Sequence, residues 1–248
     1  MTTVPERRIV LDGLHNLRDI GGYPTTDGKT IKWRTLFRSD SLHALTEESL
    51  AAVRAIGLRT IVDLRRAGEI AEEPNLFAND GEIRYLNLPI FDDSNVQSLD
   101  LAHRTHRALY ESYVENCRPQ LRAVLIALTD DAAQPALVHC KVGKDRTGVS
   151  VALLLGAAGV PDAIIADDYA VSAGYLEPLL VRWRVQMVAR GDAAEIERWE
   201  NLIQSPREAM LDLLQYLHER YGGVVPYLRT LDLTDDQIAT MRRAIVEE

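Results

Sequence analysis

The chain has 248 residues, 46% of them apolar and 26% charged, with a formal net charge of −9. That size and balance can bury a full core without disulfides or metals, and the acidic total excludes a general nucleic-acid binder, whose surface is basic. An anionic substrate must therefore be drawn in by a local basic site. Two cysteines, Cys117 and Cys140, are too few for a disulfide framework and fit a reducing compartment. The N-terminal residues lack the apolar core of a signal peptide, and no apolar run reaches the ~18 residues of a membrane span. These features predict a cytoplasmic protein without stable membrane insertion. They leave signal-independent export and the oligomeric state open.

In chain order, Ile31 to Phe37 predicts a strand leading into Arg38-Ser39-Asp40. Thr46 caps a helix with Glu47 and Glu48 in its first turn, and Gly57 ends it. Thr60 to Leu64 is a short β-branched run typical of a buried strand, and Ile83 to Leu88 is another, stopped by Pro89. Leu101 to Thr129 predicts two helices broken near Pro119. A third buried strand covers Ala136 to His139, and an apolar helix covers Val149 to Ala158. From 162 to 221 no strand is expected, only successive helices. The last of these has Ser205 as N-cap, Pro206 at N1 and Glu208 completing a capping box, with Gly222 as its stop. Thr234 and Gln237 make a second capping box for a closing helix. Strands alternating with helices predict an α/β fold around a mainly parallel sheet. We expect one domain over 1–248, with 162–221 as a helical lid or cap.

The chemistry concentrates after the strand ending at His139. Cys140, five residues, Arg146 and then Thr147-Gly148 lead directly into an apolar helix. Backbone N–H groups at such a helix start favour an anion, and a loop curled around a phosphate turns its amides inward as a nest. Gly143 supplies the freedom for that curl. Lys141, Lys144 and Arg146 crowd the cysteine in an otherwise acidic chain, which favours its nucleophilic thiolate. The planar fork of Arg146 matches two phosphoryl oxygens. His139, Lys141, Val142, Gly143, Lys144 and Thr147 complete the expected phosphate-binding set. The chemistry follows: Cys140 attacks phosphorus, Arg146 and the loop amides stabilise the transition state, an acid protonates the leaving alcohol, and water clears the cysteinyl-phosphate. No metal or other cofactor is required. An ATP-binding loop is excluded, because Gly143-Lys144 is followed by Asp145 where Ser or Thr belongs.

The stretch His139-Cys-Lys-Val-Gly-Lys-Asp-Arg-Thr-Gly148 resembles the signature of the protein tyrosine phosphatase superfamily, closest to its atypical bacterial and fungal branch. Asn16-Leu-Arg-Asp-Ile-Gly-Gly22, Phe37-Arg-Ser-Asp40, Asp63-Leu-Arg65 and Ala166-Asp-Asp-Tyr-Ala-Val-Ser172 resemble further segments of that branch. The resemblance implies a phosphatase fold with helices after the loop forming a lid, and a structural role for His139 in holding the loop. Three positions compete for the general acid. Asp145 lies inside the loop, as in the atypical branch. Asp92 or Asp93 follows a strand, where dual-specificity enzymes carry their acid. Asp63 ends a core strand and could instead orient Arg146 or the loop. Lys141 and Lys144 resemble loop lysines of phosphoinositide phosphatases. The expected substrates are therefore phosphorylated proteins, at tyrosine and also at serine or threonine, together with phosphoinositides. Thr147 is expected to hydrogen-bond the thiolate, to aid release of the intermediate, or to cap the following helix. Arg18 and Asp19 stay open between bracing the site and surface pairing. Two other classes fit the loop: a phosphate-binding pseudoenzyme, and a sulfur transferase or arsenate reductase.

Overall fold

The computed structural model describes residues 6–92, 105–130, 132–190 and 204–247. Asp93, Trp199 and the expected helical residues 101–104 lie outside the described residues. Five strands form one sheet: β1 (Arg18–Asp19), β2 (Leu36–Ser39), β3 (Thr60–Asp63), β4 (Arg84–Asn87) and β5 (Ala136–His139). Their order is β1-β2-β5-β3-β4, parallel throughout except for β1, which is antiparallel to β2. The mainly parallel α/β architecture expected from the sequence is the observed one.

Side-chain alternation divides the core. Leu36, Val62, Ala136 and Val138 face one apolar layer, whereas Phe37, Ile61 and Leu137 face the other. The second layer is small and covered by α1 (Glu47–Ala55), whose Val53 is buried in it. The larger layer is filled by helices α3 (His106–Asn116), α4 (Arg118–Thr129), α5 (Asp145–Ala158), α7 (Arg207–Tyr221), α8 (Val224–Arg229) and α9 (Asp235–Ile245). The short helix α2 (Ala67–Glu72) follows β3. All four residues of β2, β3 and β5 are buried, which explains why β3 and β5 read as short continuous runs.

Local signals account for most boundaries. The Thr46 side chain accepts from the Ser49 N–H, and Gly57 takes φ +81 just past the end of α1. The reciprocal capping box of Thr234 and Gln237 opens α9. Cys117 separates α3 from α4, with proline in the first turn of α4.

Three expectations shift. The strand predicted at Ile31 begins only at Leu36, because Arg34 adopts φ +55 in a turn held by its N–H donating to Asp19 Oδ2 at 2.7 Å. Ile31 instead forms an isolated bridge with Val246. The Ser205 cap is not made: Pro206, at ψ 129, is still extended, so α7 starts at Arg207 without a side-chain cap. Finally, the successive helices expected after residue 161 begin as one helix, α6 (Asp162–Arg190), which runs through Pro178. Leu176 and Leu179 on α6 are buried, but Val181, Val185 and Val188 are 58%, 66% and 59% exposed. Among the described residues, no helix is long and apolar enough to cross a membrane.

Candidate active site

Parallel strands place their carboxyl ends at one edge, where ligands of α/β proteins bind. Here β5 sits between β2 and β3, so the loop that follows it emerges between the ends of both neighbours. Cys140 leaves β5 buried on the larger core side, and residues 141–144 curl before α5 begins at Asp145. Gly143 makes the turn at φ +67; a Cβ there would stand 2.1 Å from the Ser39 carbonyl oxygen, so only glycine fits. The Ser41 N–H donates to the Lys141 carbonyl at 3.0 Å, stitching the loop to the end of β2.

Arg146, in the first turn of α5, is 9% exposed and reaches across to α2. Its Nη1 and Nη2 donate to the two carboxylate oxygens of Glu69 at 2.7 and 2.8 Å, and the Phe91 ring centroid lies 5.2 Å from its Cζ. Burial pushes the Glu69 carboxyl up, but the Arg146 hydrogen bond and charge outweigh it and hold the pKa at about 2. Glu69 thus fixes one edge of the guanidinium and leaves the Nε edge to face elsewhere. The sequence reading did not find Glu69. Its one local signal was its place as the third helical residue of α2, where it accepts from the Arg66 N–H at 2.9 Å.

Asp63 and His139 share a register position on adjacent strands, and the strand period sends both to the same face. The carbonyl of Cys140 can only accept, so His139 Nδ1, 3.0 Å away, carries the proton, while Nε2 meets the Asn75 amide at 2.9 Å. Burial pushes the His139 pKa down, and the ring ties the cysteine's backbone to the loop around Asn75. Asp63 accepts from the Arg65 side chain and from Tyr85 Oη, and lies 3.4 Å from His139 Nε2. It does not touch Arg146; Glu69 does. Burial pushes Asp63 up, but His139 and the Arg65 guanidinium overcome this and hold it at about 2, below its ordinary 3.8.

A stability prediction follows from the sign of that shift. The unfolded chain takes up the proton first as pH falls, so the contribution of Asp63 is complete above its ordinary 3.8 and is lost as the pH approaches 2. Thermal unfolding of Asp63→Asn, followed across that acid window, should fall less steeply with pH than the wild type. Parallel curves would show that the pairing carries no linked proton.

The remaining predicted residues divide between rim and interior. Lys141 lies at the rim, its side chain 34% exposed and its Nζ 3.7 Å from Glu73. Lys144 is 1% exposed and donates to the Gln204 carbonyl at 3.0 Å, with His106 Nε2 and Asp145 Oδ1 each 3.4 Å away. Asp145 accepts from Tyr110 Oη at 2.6 Å, and Tyr110 is itself hydrogen-bonded to Tyr169 of α6. Both tyrosine pKa values are driven up by burial and then by the charge of Asp145, so they stay protonated donors. Asp92 is exposed and directly follows Phe91. The Thr147 hydroxyl is buried with no hydrogen-bond partner among the described residues. Burial and the charge of Asp92 raise the Cys117 thiol to about 11, which marks it as an inert core residue. Among the described residues, no cluster of three His, Cys, Asp or Glu side chains could hold a metal.

A cysteine and an arginine fixed on one curled loop at the carboxyl edge of a parallel sheet define the class of cysteine-loop phosphatases, and the chain belongs to the tyrosine phosphatase family, whose profile matches residues 9–247. It is 33% identical over 214 residues to a tyrosine-protein phosphatase of Nostoc commune, covering 83% of this chain and 72% of that one. It is 26% identical over 274 residues to the triple specificity protein phosphatase PtpB of Mycobacterium tuberculosis, covering 95% and 98% of the two chains. Among solved structures, TpbA of P. aeruginosa matches with a TM-score of 0.43 at 17% identity, over 83% of this chain and 91% of that one. The protein is a protein-tyrosine phosphatase acting on phosphorylated substrates.

Proposed function

We propose that the enzyme hydrolyses phosphotyrosine through a cysteinyl-phosphate on Cys140, with Arg146 and the loop amides binding the phosphoryl oxygens. The supporting observation is the bidentate Arg146–Glu69 pair, which orients a guanidinium on the same loop as the cysteine. The Cys140 thiolate forms the S–P bond as the P–O bond to tyrosine breaks, and Asp145, entering this step in its acid form, gives its proton to the departing phenolate. Water then attacks phosphorus, returning a proton to Asp145 and releasing Cys140 and inorganic phosphate. The Thr147 hydroxyl, unpartnered among the described residues, suits the sulfur as it leaves phosphorus. Asp145 is preferred as acid because Tyr110 fixes its orientation one residue from Arg146. A second reading gives the role to Asp92, since the preceding Phe91 ring lies against Arg146.

Rapid acid quench with radiolabelled phosphotyrosine peptide tests the intermediate: label should appear on Cys140, and its absence during turnover would sink the mechanism. The acid is assigned by leaving group. Asp145→Asn should slow phosphotyrosine hydrolysis by about 100-fold, and slow para-nitrophenyl phosphate far less, because nitrophenolate leaves without a proton. Equal losses on both substrates, with the selective loss seen in Asp92→Asn, would transfer the role to Asp92.

The partly exposed Lys141 at the rim favours additional phosphates near the scissile one, which extends the reading to phosphoinositides as well as phosphoserine and phosphothreonine. Phosphate release from phosphoinositide vesicles measures this extension, and none would remove it. We read the chain as a single cytoplasmic phosphatase domain with 162–221 as a helical cap. The contact between Lys144 of the loop and the Gln204 carbonyl supports the cap.

A further inference from the structure

A phosphate loop has two sides: its N–H groups must face the anion, so its carbonyls must be held facing away. In a planar trans peptide, C=O and N–H point in opposite directions. The carbonyls of Val142 and Gly143 are both taken by buried side chains behind the loop. Asn16 Nδ2 donates to Val142 O at 2.9 Å and to Gly143 O at 3.1 Å, and Arg38 Nη2 donates to Gly143 O at 2.8 Å. Pulling those carbonyls back turns the N–H groups of Gly143 and Lys144 towards the cavity of the loop.

The two donors share one anchor. Arg38 Nη1 donates to Asp168 Oδ2 at 2.6 Å. Arg18 Nε donates to Asp168 Oδ1 at 3.0 Å, and Arg18 Nη1 donates to Asn16 Oδ1, which fixes the amide with its nitrogen facing the loop. Tyr23 Oη also donates to Asp168, at 3.0 Å. Asn16, Arg18, Arg38 and Asp168 are each no more than 2% exposed, so none is a casual surface pairing. The hydrogen bonds close a ring from α6 through β1 and β2 to the loop and back. Burial and the two guanidiniums act on Asp168 in opposite senses, and the guanidiniums prevail, keeping it ionised. Two arginines against one carboxylate leave surplus positive charge behind the loop.

Resting on the cysteine-loop reading above, we propose that Asp168 of α6 is a positioning residue: through Arg38, and through Arg18 with Asn16, it holds the phosphate loop in its anion-receiving shape before substrate arrives. Inorganic phosphate binding to the full chain, measured by calorimetry, reads that shape without turnover. Asp168→Asn frees Arg38 to abandon the loop carbonyl. Arg38→Lys keeps the charge but has no fork to span both Asp168 and Gly143 O. Each should weaken phosphate binding roughly tenfold, the scale of one charge-assisted hydrogen bond, and lower kcat by up to about 100-fold through misplaced loop groups. Met241→Ala, in the core of α9, supplies a comparable thermal destabilisation and should leave phosphate affinity unchanged. A folded Asp168→Asn with wild-type phosphate affinity overturns the proposal, and if that variant does not fold, Arg38→Lys decides on the same criterion. An affinity loss in Met241→Ala equal to theirs also overturns it, since general softening would then explain everything. Failure of the cysteine mechanism would appear instead as wild-type turnover without label on Cys140, which leaves the binding comparison intact.

Discussion

Cys140→Ser should bind phosphate about as well as the wild type and turn over essentially nothing. The thiol is 2% exposed at the floor of the loop, so the isosteric hydroxyl fits without repacking. A serine hydroxyl stays protonated at neutral pH and is a far weaker nucleophile than a cysteine sulfur. The expected loss in kcat on a phosphotyrosine peptide is at least about 10⁴-fold, the scale of removing a nucleophile. Unchanged phosphate affinity separates lost chemistry from a collapsed loop. Full activity in this variant would leave the family's defining residue without a function here.

Arg146→Lys is the second large effect, expected at about 10²–10³-fold in kcat, as for losing a transition-state donor. In the proposed mechanism the guanidinium does two things at once: its Nη1 and Nη2 pair with both oxygens of Glu69, and its Nε edge meets phosphoryl oxygens. A lysine ammonium must choose. With Glu69 buried and ionised, the ammonium should remain on the carboxylate. KM should therefore rise as kcat falls, because ground-state contacts to phosphate are lost too. Glu69→Gln, measured alongside, keeps Arg146 but loosens its orientation and should reduce kcat less than Arg146→Lys. A variant Arg146→Lys retaining wild-type kcat would mean that the loop amides alone carry the transition-state charge.

The parts of the site that were legible in the sequence are contiguous. Cys140, Gly143, Arg146 and Thr147 fall within one strand–loop–helix unit, where spacing alone fixes which groups meet. Strands β3 and β5 were legible for a related reason, since two-sided burial in a parallel sheet leaves short apolar runs. What stayed hidden depends on distant residues. Glu69 lies 77 residues before Arg146, and nothing about a glutamate in a helical first turn announces that an arginine will reach it. Asp168 sits in a motif that resembled the family's, yet its two arginine partners come from strands at the other end of the chain. Lys144 looked like a substrate cation by its place in the loop, and its path to the Gln204 carbonyl is a tertiary matter. The Ile31 strand misread a turn that Arg34 takes at φ +55, a conformation no propensity predicts for arginine.

The sheet also divides the chain into places that tolerate insertion and places that do not. Every segment proposed to act in catalysis leaves a strand at its carboxyl end, whereas the turns entering β3 and β4 lie at the opposite edge. Gly81, before β4, takes φ +81 with nothing within 4 Å of where a side chain would start. A fluorescent label or a short reporter peptide spliced in there would sit a full strand length from the cysteine. Such a labelled phosphatase would report on folding and partner binding while its catalytic edge stays as built.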